Sequence, residues 1–150
     1  MPVRRICVLL LLSTAFWHGA FAQSLKEYLD KGDRFFGRKD YANALLNYLE
    51  ALKLNGEDAA ANFRAGVSYL HTDKKSRAAS YLEKAFRLNP EVDEDIDYHL
   101  GLAYQNNHDY AKAIGHFIAF KQKNKKLADI ADHKISECEI GDSLARHPTY

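Results

Sequence analysis

Residues Asn62–Pro90 read NFRAGVSYLHTDKKSRAASYLEKAFRLNP, and the spacing within this stretch decides the fold. Gly66 and Tyr69 lie one helical turn apart; Ala78, Leu82 and Ala85 follow at helical spacing, and Pro90 closes the stretch. The same skeleton stands 34 residues earlier as Gly32, Phe35, Ala44, Tyr48 and Ala51. It returns 35 residues later as Gly101, Tyr104, Ala113, Phe117 and Phe120. A period of that length, with small and aromatic residues in register, marks stacked helical hairpins. Gly in a helix interior costs about 1 kcal/mol relative to Ala, so three at one phase need an offsetting gain. Close approach of a second helix supplies it, with Ala44, Ala78 and Ala113 expected as the facing small residues. The expected fold is all-α: a solenoid of three helix-turn-helix repeats, about 25–58, 59–93 and 94–127, and a capping helix at about 127–145.

The Gly-x-x-Tyr of Gly66–Tyr69, the Leu-Gly-x-x-Tyr of Leu100–Tyr104, the Ala-x-x-x-Phe of Ala113–Phe117 and the terminal Pro90 resemble the tetratricopeptide repeat (TPR). Lys31 stands where that family places a large apolar residue, and Gly56 and Lys125 stand where Pro is common. The family's Trp position reads Tyr28, Asn62 and Asp97. The resemblance implies a protein-interaction module.

The segment boundaries follow from local signals. Ser24 with Glu27 forms a capping box, and Gly37 offers a left-handed stop for the first helix. Asp40 caps Tyr41–Leu54, a third helix covers about Asp58–His71, and a fourth about Lys75–Leu88. A fifth runs from about Val92 to Gln105, and Asp109 caps Tyr110–Lys123. The final helix places Leu127, Ala131, Ile135 and Cys138 on one stripe, with acids on the other side, as the seal of a solenoid end requires. Residues 146–150 read as a tail.

Residues 1–22 carry targeting logic. Arg4 and Arg5 precede an apolar run from Ile6, and Ala20-Phe21-Ala22 is an A-x-A cleavage site, so export and a mature start at Gln23 are expected. No direct membrane insertion is expected after cleavage. Beyond them Cys138 is the remaining cysteine, which leaves no internal disulfide to form; it reads as a small buried residue, with pairing between chains as the alternative. These 22 residues hold two of the 21 basic residues and none of the 20 acidic ones, so the remainder carries a net charge of about −1. That balance gives no reason to expect nucleic acid as a partner. Lys121, Lys123, Lys125 and Lys126 form a basic run, read as a solvated face or as a patch for an acidic partner.

No catalytic or metal-binding pattern stands out. The histidines His71, His99, His108, His116, His133 and His147 lack metal spacing, and there is neither a nucleophile elbow nor a phosphate loop. No enzyme activity and no cofactor are expected. What remains is surface. In stacked hairpins the first helices line the concave face, which assigns Leu29, Asp33 and Phe36; Phe63, Val67 and Leu70; Tyr98, Leu102 and Gln105 to a groove. So apolar a face is expected to bind a peptide segment or neighbouring domain. Leu29, Phe63 and Leu102 have an alternative place in the inter-repeat core. Leu29, Asp33 and Val67 occupy positions where carboxylate-capturing members of the family need basic and amide groups, so that mode is not expected.

The last helix, KISECEIGDSLARHP, resembles the segment closing the TPR region of exported Bacteroidetes proteins that continue into an OmpA-like domain. That resemblance implies a periplasmic scaffold associated with the outer membrane, serving envelope assembly or secretion. The alternative is a structural spacer whose groove is filled intramolecularly or by a second copy.

Overall fold

The computed structural model describes residues 23–147, and among these every regular element is helical. Expectations placed on residues 1–22 and 148–150 lie outside the described residues. Helix α1 spans residues 23–37, followed by α2 (Tyr41–Leu54), α3 (Ala59–Leu70), α4 (Ala78–Leu88), α5 (Ile96–Asn106), α6 (Tyr110–Lys123) and α7 (Ala128–Arg146). They pair as α1–α2, α3–α4 and α5–α6, with α7 laid against α6. The first helices of successive hairpins also touch, α3 against α5.

Asp side chains start three helices. Asp40, Asp58 and Asp109 accept the backbone N–H of Asn43, Ala61 and Lys112 at 3.2, 2.8 and 3.3 Å. Each satisfies an otherwise orphaned donor in the first turn. Without such a residue, α4 and α7 are entered through 3₁₀ turns at Lys75–Arg77 and Lys125–Leu127. Helix α1 includes Ser24, and Glu27 pairs with Lys31 at 2.7 Å. Helix α5 starts at Ile96 rather than Val92. The side chains of Asn89 and Asp93 hold the N–H groups of Glu91 and Asp95 at 3.0 Å, keeping the intervening chain in turns. Arg146, expected in the tail, is the last residue of α7 and pairs with Asp142.

The first hairpin turn also differs from expectation. Gly37 remains helical, and Lys39 takes the left-handed conformation at φ 60°. Lys39 N–H donates to Phe36 C=O at 2.9 Å and Asp40 N–H to Phe35 C=O at 3.0 Å, the pair of bonds that defines a Schellman stop. The third repeat repeats this at His108, also φ 60°, with Asp109 N–H donating to Tyr104 C=O at 3.0 Å.

The three glycines form the clamp inside each hairpin. A Cβ on Gly32 would stand 2.6 Å from the Tyr48 ring, one on Gly101 2.5 Å from Phe117, and one on Gly66 2.6 Å from Leu82 Cγ and 3.2 Å from its backbone N. The residue facing each glycine is therefore the large one, not the expected alanine. Ala44, Ala78 and Ala113 are fully buried one turn earlier. Gly141 of α7 makes a fourth such contact with the Tyr110 ring, at 2.6 Å. It falls outside the repeat register, which hid it in the sequence. Cys138 lies fully buried in the core, and burial pushes its thiol up.

Candidate peptide-binding surface

The face formed by α1, α3 and α5 differs from the open apolar groove expected of it. Phe63, Val67 and Leu70 are 8%, 4% and 8% exposed and belong to the continuous core. Leu29, Phe36, Tyr98 and Leu102 are half-buried and pack against that core. The reason is geometric: successive first helices lie side by side, so these rows fill the seam between hairpins. Leaving each bare would forfeit roughly 1.5–3 kcal/mol of burial. Phe63 meets the His99 ring edge-on at 5.5 Å, and Phe36 meets Tyr41 at 5.5 Å and Tyr48 at 6.3 Å.

Polar bridges run across the same seam. Asp33, on α1, accepts from Arg64 of α3 at 2.5 Å and from the Tyr48 hydroxyl at 2.8 Å. Burial and the Asp33 hydrogen bond together raise the Tyr48 phenol far above its ordinary range. Gln105 donates to Glu137 of α7 at 2.9 Å, and Lys134 pairs with the same carboxylate at 2.8 Å. Lys134 and the Gln105 bond hold Glu137 below the usual carboxylate range. Of the nine expected groove residues, Asp33 is the exposed one. Around it Leu25, Lys26, Leu29, Asp30, Ala60 and Arg64 line a cleft of about 330 Å³. Sequence reasoning missed Arg64; the signal was an opposite charge one turn short of a full repeat from Asp33.

His99 on α5 is another residue whose surroundings the sequence hid. Its Nδ1 is buried with no hydrogen-bond partner among the described residues, and burial holds the ring's pKa below its ordinary value of 6.5. His71, stacked on Tyr41 at 4.0 Å, is shifted the same way by burial. The basic run divides: Lys121 pairs with Asp132 at 2.5 Å and Lys123 reaches buried Asp97 at 2.6 Å, while Lys125 and Lys126 stay exposed.

The repeat itself has a known counterpart. The tetratricopeptide-repeat profile matches residues 59–92, the stretch that holds the Gly66 clamp. The fold is the TPR solenoid. Human tetratricopeptide repeat protein 6 is 39% identical over 57 residues, 38% of this chain and 11% of that protein. The chain thus spans about a ninth of the length of this curated relative. Among solved structures, the TPR domain of Arabidopsis OM64 is similar with a TM-score of 0.67, at 20% identity over 77% of this chain and 96% of that one. The TPR2B domain of yeast Sti1, solved as a pHsp70 complex, gives 0.64 at 20% identity over 78% and 97%. The second TPR domain of human RPAP3, solved with an HSP70 peptide, gives 0.66 at 18% identity over 79% and 98%. At such identities the likeness speaks for the fold alone.

Proposed function

We propose that this chain is an exported protein-interaction scaffold that holds a peptide segment, or a neighbouring domain, on the inner face of its TPR solenoid. The observation that carries this reading is the Asp33–Arg64 bridge beside half-buried Leu29, in an open cleft across the first inter-repeat seam. An extended segment laid there meets paired charges for its backbone and polar groups, and an apolar wall for its side chains. Peptide complexes of the similar Sti1 and RPAP3 domains support this class of partner. The leader-like pattern of residues 1–22 supports export to the periplasm, and the closing helix supports a role beside the outer membrane in envelope assembly or secretion. Among the described residues no helix is long and apolar enough to cross a membrane. In-cell crosslinking through a photoreactive residue at Ala60, followed by pulldown from intact envelope, tests the reading. Recovery of a defined envelope partner, lost on Arg64→Glu, is expected; an unchanged adduct pattern in that variant counts against the inner face.

A second reading rests on the opposite end. Ile118, Leu127, Ile130, Ile140 and Leu144 on and around α6–α7 are exposed by 39–62%, an unsealed edge that favours self-association. Light scattering of the purified chain separates the two: a concentration-dependent dimer abolished by Ile140→Glu with Leu144→Glu supports the spacer, and a monomer throughout supports the scaffold.

A further inference from the structure

The two inter-repeat junctions of the outer layer use equivalent positions in opposite ways. Between the second and third repeats, Glu83 of α4 accepts from the Tyr104 hydroxyl at 2.5 Å. Asp97 of α5, 3% exposed, takes His116 Nδ1 at 3.0 Å and Lys123 Nζ at 2.6 Å. His116 stacks on Tyr104 at 5.5 Å, and Lys112 lies 4.9 Å over the same ring. Asp97 thus answers His116 and Lys123 within the third repeat, Glu83 holds the Tyr104 hydroxyl from the second, and Lys112 pairs with Asp109 at 2.9 Å.

One repeat earlier, Leu49 replaces Glu83, Asn62 replaces Asp97, Arg77 replaces Lys112 and Tyr81 replaces His116. Both acids are gone, Tyr81 and Leu88 stand in place of His116 and Lys123, and a cation remains at Arg77. Here the structure is open: a cleft of about 530 Å³ is lined by residues that include Lys53, Arg77 and Lys84, and no carboxylate lines it. Arg77 is exposed and has no carboxylate partner among the described residues. Lys84 and Lys53 reach outward to Glu57 and Glu50, at 2.8 and 2.5 Å. Asn62 cannot serve as the missing acid, since its amide donates to the Gly56 and Asp58 carbonyls, both at 2.8 Å.

We infer that the cleft between α2 and α4 is a binding site for an acidic side chain of a partner polypeptide, which supplies from outside a carboxylate for Arg77 where none lines the cleft. Half-buried Leu49, Leu52 and Tyr81 beside the cations fit the methylene stem and neighbours of such a residue. The volume exceeds what a lone small anion would fill. This site lies on the opposite layer from the inner face and stands or falls separately.

Fluorescence anisotropy with a labelled glutamate-rich peptide and its glutamine counterpart tests the inference. The glutamate peptide should bind, and the glutamine peptide should bind at least about tenfold more weakly, the scale of one lost charge-assisted hydrogen bond. Arg77→Gln, at an exposed residue with no ion pair to lose, should weaken binding by a similar factor with unchanged melting. Leu49→Glu, which restores an internal acid, should abolish binding. Lys112→Gln, the equivalent change at the filled junction, should leave it unaltered. Equal affinity for both peptides, full binding by Arg77→Gln, or an equal loss in Lys112→Gln overturns the site. Complete displacement by inorganic phosphate alone would overturn the polypeptide assignment.

Discussion

The two outer junctions have the same backbone neighbours and nearly the same spacing, yet one is closed by charge and the other is open. At the second, burial would push the Asp97 carboxyl up, but the bonds from His116 and Lys123 outweigh it and hold the carboxyl below its ordinary range. At the first, Tyr69 and Tyr81 lie 5.2 Å apart, and burial, aided by Tyr69, raises the Tyr81 phenol. The lesson is that a solenoid repeats its packing more faithfully than its polar chemistry. The glycine clamp recurs three times because sterics admit no substitute; the side chains between hairpins vary because water can replace a partner there.

The strongest way to break the shared part is Gly66→Leu. Its side chain has Leu82 and the Leu82 backbone in its way, so α3 and α4 must separate. A loss of about 3 kcal/mol, at the upper end of overpacking costs, is expected in chemical denaturation, and near-wild-type stability would refute the pairing. Leu70→Glu should cost a similar amount, about 2–4 kcal/mol, since Leu70 is core rather than groove.

Asp97→Asn sharpens the contrast by making the filled junction resemble the open one. It should cost about 2 kcal/mol at neutral pH, less than a wholly buried pair because Lys123 can reach water. Asp97 titrates lower in the folded chain, so its contribution is complete above the ordinary value of 3.8 and is lost as pH falls through the lower folded value. The gap between wild type and Asp97→Asn should therefore close in acid, as urea melts across that range would show. Asn62→Ala at the open junction should cost about 1–2 kcal/mol, from its two carbonyl bonds, with no such acid dependence.

A gentler titration reports on the inner seam. His99 and His71 bind protons less readily when folded, so the unfolded chain gains protons first and stability should decline as pH drops below about 6.5. His99→Phe should flatten that slope in thermal melts between neutral and mildly acidic pH. The smallest effect concerns the first turn: Lys39→Gly relieves a left-handed residue and should stabilise by up to about 1 kcal/mol.

Periodicity, glycines and capping aspartates determined the all-helical solenoid, the hairpin pairing and the bounds of α2 and α6, because those depend on local propensity and on one steric rule repeated at 34–35 residues. Sequence also set apolar rows on α1, α3 and α5, but could not say whether a row faces water or the next hairpin. Only the tertiary structure decided that Phe63, Val67 and Leu70 lie in the seam, that Asp33 meets Arg64, and that Asp97 is answered by His116 and Lys123 while Arg77 is not. Such pairings depend on the rotation and stagger between hairpins, and no residue's own preference encodes that angle.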